Sequence, residues 1–444
     1  MTTTGVTRVL AGFAVDRVSV PELALEAGRR TMLNAIALAV GAARHAAVEA
    51  ALTVLHQLGS PPLAAVLGRG DRLAPQWAAL VNGIGVHVED FDDTHLPTVI
   101  HPGPVVVPAA LAVADWLDRT GEDVLLATVI GTEIALRIGM GLGDSHFDRG
   151  WHVTGISGPL GAAAAAGRLL RLDETAMANA LGLAATQAAG LQESLGYMTK
   201  SLQPAKAAAN GVEAALLAAE GFTSSPTAIE GRRGLGALVS AAADYARMLA
   251  DLGRTWEIEL NAFKPYACGI VSHPAIDAAI TLRRRVKDVG DIAEVVVTVN
   301  PVVLDVMGKI EPSTGLQSKF SVYHSVAVGL VDGAAGPPQF SDARALAPDI
   351  VALRRKVRAI TDASIAKDEA RMRLRTATGD VHEVHIKHAT GSAAQPMTEA
   401  GLRAKAERLA EPVLGRRTAA FIEAAWRVDR LPSARELISA ATSA

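Results

Sequence analysis

Hydrophobic positions in the first 262 residues recur at helical spacing, in segments rich in Ala, Leu and Val. Between residues 21 and 58 the apolar positions follow the helical period and nearly every residue is a good helix former, which predicts two antiparallel helices. Further segments of this kind, each bounded by Gly, Pro or a capping residue, are 74–92, 105–118, 122–141, 157–170, 174–190 and 204–220. No strand-like segment alternates with them, so residues 1–262 are predicted to form an all-helical domain rather than a doubly wound sheet.

The pattern changes after about residue 262. Residues 293–306 are β-branched, and residues 371–388 alternate like two strands around a Thr-Gly-Asp turn. Helical patterns lie between them, at 274–287, 319–333 and 346–360. We therefore predict a smaller α+β domain at 263–395 and a helical tail at 396–444 that returns to the first domain. The predicted fold class is mainly α.

Composition and charge narrow the class of protein. The chain has 444 residues, of which 50% are hydrophobic, 20% charged and 4% aromatic, enough apolar surface for two or three packed domains. The formal net charge is −3 and like charges do not cluster, so we expect no nucleic-acid partner.

The single cysteine and the apolar segments bear on location. Cys268 is the only cysteine, which excludes an intrachain disulfide and is typical of a reducing compartment, so we expect a cytoplasmic protein. The apolar patch between Arg8 and Asp16 is too short and broken for a signal-peptide core. The longest uncharged stretch, 94–114, contains two histidines and four prolines, which predicts buried loop and helix rather than a membrane span.

Two histidine-containing segments combine groups suited to proton transfer. In residues 87–104, Asp90 and Thr94 would share one face of a helix, and the chain then turns through Pro97 and Pro102 and presents His101 between them. His152 precedes a Gly/Ser-rich stretch that opens a helix, whose free N–H groups suit an anionic oxygen. Together these groups suggest an acid–base site, although each histidine taken alone is better explained as a hydrogen-bonded scaffold residue.

Two later segments carry lysines in apolar surroundings. Lys200 and Lys206 lie beside an Ala-rich helix, and Lys264 and His273 flank a Pro-containing turn at the predicted domain boundary. A buried lysine needs an anionic partner, which a bound di- or tricarboxylate would supply. The alternative is that each lysine extends its ammonium group to solvent.

Two other motifs are weak. Residues 139–143 (GMGLG) resemble a dinucleotide loop but follow a helical pattern, so we interpret them as the end of a helix. His382, His385 and His388 have metal-ligand spacing, yet on a strand His385 faces away from the other two. We expect neither a metal site nor a nucleotide cofactor.

Blocks along nearly the whole chain resemble the MmgE/PrpD family. The FDDTH (91–95), WHVTG (151–155) and KPYAC (264–268) blocks are specific when found together. They belong to longer collinear blocks at 67–95, 100–115, 150–170, 200–211, 263–278 and 317–333. The resemblance implies a large all-helical domain with a smaller α+β lid domain, a site at their interface, a homodimer, and no metal or organic cofactor.

The resemblance also implies the site residues. Those with implied catalytic roles are Asp90, His101, His152, Lys200, Lys264 and Tyr323. The resemblance places Thr94 in the pocket as well, and the neighbouring residues Ser157, Gln203, Lys206 and His273 are also expected to contact substrate. The two histidines would be the acid–base pair, in an order left open, and Asp90 would orient one imidazole or relay its proton. The lysines would hold substrate carboxylates and the tyrosine would donate a hydrogen bond, while Cys268 would line the pocket.

The activity implied is abstraction of a proton α to a carboxylate of a small di- or tricarboxylate. A 2-methylcitrate-dehydratase-like lyase is the leading prediction. An iminodisuccinate-type epimerase and a cis-aconitate-type decarboxylase are alternatives, and a polycarboxylate-binding helical protein is the non-enzymatic one. Two features differ from many family members: Gln203 stands where a histidine is frequent, and the loop between Thr94 and His101 is one residue longer.

Overall fold

The Ala- and Leu-rich segments of the first 250 residues fold as helices. The computed structural model describes residues 5–443. The helices before residue 250 are α1 Val6–Val15, α2 Glu22–Gly41, α3 Ala46–Leu58, α4 Pro75–His87, α5 Gly103–Leu117, α6 Gly121–Leu142, α7 Ser145–Asp148, α8 Val153–Leu169, α9 Glu174–Thr186, α10 Met198–Ala219, α11 Leu235–Val239 and α12 Tyr245–Leu249. Short strands accompany them, namely β1 Ala64–Ala65, β2 Arg72–Leu73 and β3 Asp93–His95.

Helix α8 lies at the centre of this part, between α6 and α10. Its run Ala162–Ala166 is completely buried. A Cβ on Gly161 would lie 2.5 Å from the Gly131 carbonyl oxygen of α6, and a Cβ on Gly211 of α10 would lie 2.4 Å from the Ala162 Cβ. Small side chains therefore let the helix axes approach at the short end of the usual ~8–10 Å.

Helix α6 is long and apolar enough to cross a membrane by length and composition. Its most apolar window is 89% buried within the described chain, as is typical of a core helix in a globular protein. The GMGLG sequence forms its carboxyl end, where Gly143 takes φ of +65°. The interpretation of this motif as a helix end is confirmed.

The following region combines a four-stranded sheet with short helices. Strand β4, Asn261–Phe263, pairs with β3 outside this sheet. The strands of the sheet are β5 Ile292–Val299, β6 Val357–Thr361, β7 Ala370–Thr376 and β8 Val381–Ile386. The sheet order is β6-β5-β7-β8, with β5 and β6 parallel and the other pairs antiparallel. The helices are α13 His273–Arg283, α14 Pro301–Met307, α15 Gly315–Ser318, α16 Val322–Val331, α17 Asp342–Ala345 and α18 Pro348–Arg354.

The tail forms three helices that lie against the first part of the chain. They are α19 Glu399–Leu414, α20 Thr418–Trp426 and α21 Ala434–Ala440. A Cβ on Gly41 of α2 would lie 3.0 Å from the Leu409 carbonyl oxygen of α19, so these two helices are in close contact. The division into domains at 262 and 395 stays a prediction.

The mainly α fold class is confirmed, but several predicted elements need correction. Helices α2 and α3 meet at 80° instead of packing antiparallel, because His45 caps α3 only four residues after α2 ends. Residues 346–360 do not form one helix, since α18 ends at Arg354 and the apolar residue Val357 begins β6 beside β5. The strand expected at 293–306 ends at Val299, where Asn300 caps α14.

Candidate active site

The end of α4 and the loop after it form the centre of a buried polar cluster. His87 is the last residue of α4, and Asp90 then takes a left-handed backbone conformation with φ of 49°. Strand β3 pairs with β4 so that Asp93 lies opposite Phe263. This register brings the next residue, Lys264, beside Asp90. His101, just before α5, and His152, the N-cap residue of α8, face the same loop.

The predicted helix at 74–92 is confirmed for Pro75–His87, but it ends at His87, so the expectation that Asp90 and Thr94 share one helix face is wrong. The carbonyl oxygen of Asp90 accepts a hydrogen bond from Lys264 Nζ at 3.2 Å instead of from a helical N–H. Thr94 belongs to β3. The side-chain ammonium group thus replaces the backbone donors that would have continued α4.

Asp90 forms ion pairs with two buried lysines. Its Oδ1 lies 2.5 Å from Lys200 Nζ and 2.9 Å from Lys264 Nζ. Burial alone would raise the pKa of this carboxyl, but the two ammonium groups outweigh burial and hold the pKa well below its usual range. Among the described residues, Asp90 is the only hydrogen-bond partner of the Lys200 ammonium group, whose other donors are left for an anion.

His101 is held as a neutral base. Its Nδ1 lies 2.8 Å from the Asp93 carbonyl oxygen, which can only accept, so Nδ1 carries the proton and Nε2 is free to take another. Thr94 Oγ1 lies 3.2 Å from the same nitrogen. Burial lowers the pKa of His101 to about 3, although the nearby Asp92 carboxylate opposes that shift.

A third imidazole, His87, lies between His101 and His152. Its ring centroid is 4.9 Å from that of His101 and 6.1 Å from that of His152. His87 Nδ1 lies 2.6 Å from Asp92 Oδ2, and its Nε2 is buried with no hydrogen-bond partner in residues 5–443. Burial lowers the pKa of both His87 and His152. In the free protein the site thus presents neutral imidazoles beside two lysine ammonium groups.

His87, Asp92 and His101 also have the composition of a metal site, with one ligand atom from each lying within 4.8 Å of the others. Two contacts oppose metal binding there. Lys264 Nζ already lies 3.7 Å from Asp92 Oδ1, and the protonated Nδ1 of His101 cannot act as a ligand. The cluster therefore suits an anion better than a cation.

A narrow cavity leads to Asp90 and Lys200. It has a volume of about 10 Å³, room for little more than one water molecule, and is lined by Val88, Asp90, Gly196, Tyr197, Lys200, Ser201, Leu316, Lys319 and Phe320. A di- or tricarboxylate is larger than this space. Binding one would require the segment at 196–201 or the segment at 316–320 to move.

Two of the remaining predicted residues lie close to the cluster. Gln203 Nε2 donates to the Leu191 carbonyl oxygen at 2.9 Å, while its Oε1 is buried without a partner in the described chain. His273 is buried behind Lys264, with Nε2 3.3 Å from the Cys268 carbonyl oxygen. Burial raises the pKa of the Cys268 thiol to about 11, so that side chain is not an activated nucleophile.

Three predicted residues are not brought into the cluster. Ser157 donates its hydroxyl to the Val153 carbonyl oxygen within α8. Lys206 is exposed and lies over the Trp77 ring, at the opposite end of α4 from His87. Tyr323 is partly buried on the first turn of α16, and its hydroxyl has no hydrogen-bond partner in the range 5–443.

The structure adds four residues to the site that the sequence analysis did not select. His87 and Asp92 lie inside the FDDTH-containing block, where their spacing to Asp90 was the available signal. Lys319 and Lys405 are both buried and contact the loop after α4. Lys319 lies in the family-like block at 317–333, which was the available signal, whereas nothing in the local sequence around Lys405 distinguishes it from other lysines.

Comparison with known proteins identifies the family of this chain. The MmgE/PrpD N-terminal domain matches residues 8–248 and the MmgE/PrpD C-terminal domain matches residues 266–430. The chain is 30% identical over 381 residues to cis-aconitate decarboxylase of Aspergillus terreus strain NIH 2624, covering 80% of this chain and 78% of the relative. It is 30% identical over 314 residues to human cis-aconitate decarboxylase, covering 66% and 63%. The chain therefore belongs to the MmgE/PrpD family and is an enzyme of that family.

Proposed function

We propose that this enzyme is a cofactor-independent lyase that decarboxylates cis-aconitate or a closely similar unsaturated tricarboxylate. The observation that carries the proposal is the likeness to cis-aconitate decarboxylases over 80% of the chain. Dehydration is the leading prediction from the sequence alone, and the likeness to cis-aconitate decarboxylases supports decarboxylation instead. The lysine pair and neutral imidazoles supply the anion contacts and proton-transfer groups that the reaction needs.

The proposed reaction begins with capture of the substrate carboxylates by Lys200 and Lys264. The carbon–carbon bond to one carboxylate then breaks and releases CO₂. Its electron pair forms a new double bond, the old double bond shifts, and the far carbon of the old double bond accepts a proton. His101 or His152 would deliver that proton, with the order between them open.

The proton donor must be charged before it acts. The free site holds neutral imidazoles, since burial lowers the pKa of His101 to about 3. A bound tricarboxylate adds negative charge beside that ring and raises its pKa. Substrate binding is therefore expected to take up a proton from solvent and convert the base of the free enzyme into the acid of the complex.

Dehydration of a 2-methylcitrate-like substrate is the second candidate. One observation favours it: Nε2 of His101 is already free to remove a proton α to a carboxylate, with no prior protonation. In that reaction the C–H electron pair forms the double bond while water leaves the neighbouring carbon. Epimerisation would begin with the same step and return the proton to the other face.

One assay in D₂O separates these activities. Purified enzyme is given cis-aconitate, 2-methylcitrate or an amino-dicarboxylate, with and without exhaustive chelation, and products are read by NMR. CO₂ release with one deuterium in a new unsaturated dicarboxylate is the expected result, unchanged by chelation. Turnover of 2-methylcitrate alone would favour the dehydratase, and deuterated inverted product would favour the epimerase. Ligand-induced thermal stabilisation without turnover would favour a binding protein.

The assembly and surroundings are part of the proposal. We expect a homodimer that acts in the cytoplasm on small carboxylates and binds neither nucleic acid nor membrane. The exposed side chains Leu191, Tyr197, Met198 and Leu202 surround the start of α10 beside the cavity and would suit a second copy. Light scattering coupled to size-exclusion chromatography measures the assembly.

A further inference from the structure

Three consecutive carbonyl groups beside the site each accept a hydrogen bond from a different buried lysine. Lys319 Nζ lies 2.9 Å from the Glu89 oxygen. Lys264 Nζ lies 3.2 Å from the Asp90 oxygen, and Lys405 Nζ lies 2.5 Å from the Phe91 oxygen. The three lysines come from the segment after β4, the end of α15 and helix α19, so distant parts of the chain meet on one three-residue segment.

Two of these lysines also bind the segment that carries Lys264. Lys319 Nζ lies 3.2 Å from the Ala267 carbonyl oxygen, and Lys405 Nζ lies 2.9 Å from the Lys264 carbonyl oxygen. Each ammonium group therefore bridges the loop after α4 to the loop after β4. Lys319 does so at the Glu89 end and Lys405 at the Phe91 end.

Burying two lysine ammonium groups costs desolvation free energy, which their hydrogen bonds must offset. Lys319 and Lys405 are each 2% exposed. Lys319 has the Glu89 carboxylate at 2.8 Å, whereas the Lys405 ammonium group is bonded to carbonyl oxygens and lies 3.8 Å from the centre of the Phe91 ring. Burial lowers the pKa of Lys405 well below its usual range. An apolar side chain would avoid this desolvation but could not hold two carbonyls together.

The segment they hold is strained. Asp90 has a positive φ of 49°, which non-glycine residues rarely adopt. The carbonyls on both sides of that residue are fixed by Lys319 and Lys405. This backbone turn aims the Asp90 carboxylate at Lys200 and Lys264.

We propose that Lys319 and Lys405 are positioning residues that clamp the loop at 89–91 to the loop at 264–267, so that Asp90 and Lys264 keep the geometry needed for catalysis. Neither residue needs to touch the reacting atoms. The proposal rests on the proposed function for the catalytic role of Asp90 and Lys264. The clamp itself consists of contacts in the free protein and does not depend on which reaction is catalysed.

The test compares Lys405→Met and Lys405→Arg with Lys356→Met as a matched control. Lys356 Nζ also donates to a main-chain carbonyl, that of Ile292 at 2.6 Å, but this lysine is exposed and lies in the turn before β6, away from the site. Hydrogen–deuterium exchange followed by mass spectrometry monitors peptides covering 88–93 and 263–268. Steady-state kinetics with cis-aconitate measures kcat and KM, and thermal unfolding measures Tm.

We expect Lys405→Met to speed exchange in both loops and to lower kcat by about 10- to 100-fold, since a displacement near 1 Å at a reacting group has that effect. KM should change less than kcat. Lys405→Arg keeps the charge and N–H donors and should recover part of kcat, and Lys356→Met should behave as wild type in the two loops. Lys319→Met is the second variant if Lys405→Met does not fold.

Wild-type kcat and unchanged exchange in both loops would overturn the proposal, whatever the Tm. A lower Tm with normal kcat would also overturn it, because that is the result for a purely structural residue. If wild-type enzyme fails to convert any of the tested carboxylates, the proposed function fails, and loop exchange still decides whether the clamp exists.

Discussion

Burial keeps the imidazoles at the centre of the site neutral, and this determines what each can do first. His101 donates its Nδ1 proton to the Asp93 carbonyl oxygen and leaves Nε2 open. His152 has a buried Nδ1 with no partner in residues 5–443. Both rings can accept a proton from substrate or, after a polyanion binds, deliver one. The lysine–aspartate group beside them supplies the charge that favours such a polyanion.

Replacing either proposed acid–base residue should remove most of the activity. We expect His101→Asn and His152→Asn each to lower kcat by roughly 10²–10⁴-fold, the usual contribution of general acid–base catalysis. His146→Asn is a matched control, because His146 is also buried and bonds a main-chain carbonyl, that of Gly143 at 2.6 Å. Normal kcat in both site variants, measured well below their Tm, would exclude these two residues from the mechanism.

Asp93 should make stability depend on pH in the direction opposite to most carboxyls. Burial, helped by the Asp92 charge, raises the pKa of Asp93 to about 7, against about 3.9 in an unfolded chain. The folded state then holds an extra proton between those values, so the stabilisation is present at low pH and is lost as pH rises through 7. From pH 5 to pH 8 the free energy of unfolding of wild type should fall by about 2–3 kcal/mol relative to Asp93→Asn.

Urea denaturation of both proteins at the two pH values measures this difference. Asn261 and the Gly103 N–H both donate to the Asp93 carboxyl. An amide at position 93 keeps the size of the side chain and does not titrate. An equal change in stability for the two proteins would show that Asp93 is ionised in the folded state throughout this range.

The family-like blocks of the sequence contain most of the site, although Ser157 and Tyr323 in those blocks lie outside the cluster and Lys319 was not predicted. Asp90, His101, His152, Lys200 and Lys264 do come together. The pairing of His87 with Asp92 was missed because a helix was expected to continue to residue 92. On a helix, residues five apart point about 140° from one another, so no contact between them could be expected.

Helix positions were predictable because helical periodicity is a local property. The exact ends were not, since they depend on groups far away in the chain. Helix α4 ends at His87, where the following loop accepts a hydrogen bond from Lys264. Strand β6 forms because Val357 and the residues after it pair with β5. The close approach of α6 and α8 is likewise a tertiary feature, although the glycines and alanines that allow it are visible in the sequence.

That close approach predicts a strong effect of one methyl group. In Gly161→Ala the new Cβ would lie 2.5 Å from the Gly131 carbonyl oxygen, so α6 and α8 must move apart. Overpacking of this kind costs about 1–3 kcal/mol of unfolding free energy. Gly12→Ala is the control within a helix, because the Glu174 carboxylate is its nearest neighbour at 3.9 Å.

Chemical denaturation should therefore give a lower free energy of unfolding than wild type for Gly161→Ala and a higher one for Gly12→Ala. Gly12→Ala should stabilise by up to about 1 kcal/mol through helix propensity. A Gly161→Ala variant as stable as wild type would show that the helix pair can relax without loss of packing. Because His152 begins α8, we also expect kcat of Gly161→Ala to fall.

At the scale of the whole molecule, four distant parts of the chain form one site. The loop after α4, the start of α8, the start of α10 and the loop after β4 supply the chemical groups, while α19 contributes Lys405 from behind. Assembling them buries many titratable groups in one interior. The fold must therefore keep several histidines uncharged that would be charged in the unfolded chain at mildly acidic pH.

Because the fold keeps these histidines uncharged, we predict that the protein loses stability in acid, starting near pH 6.5. Burial lowers the pKa of His101 and His273 to about 3 and that of His324 to about 4. The unfolded chain binds these protons near pH 6.5, so each histidine lowers the free energy of unfolding by about 1.4 kcal/mol per pH unit below that value. Asp93 has the opposite effect, because its raised pKa lets the folded chain bind one proton more than the unfolded chain below about pH 7. Asp90 and Asp92, whose pKa values are lowered, do not change the pH dependence of stability until the pH falls below about 3.9.

His324 allows this effect to be isolated from the active site. It lies in α16, where its Nε2 is 2.9 Å from the Gln339 carbonyl oxygen, and an asparagine there keeps a donor without a titrating ring. Between pH 7 and pH 5, His324→Asn should gain about 2 kcal/mol in unfolding free energy relative to wild type, because the unfolded wild-type chain binds a proton that the folded chain excludes. Urea titrations at both pH values measure this difference. If the two proteins lose stability in parallel, His324 is protonated in the folded state and burial does not keep it neutral.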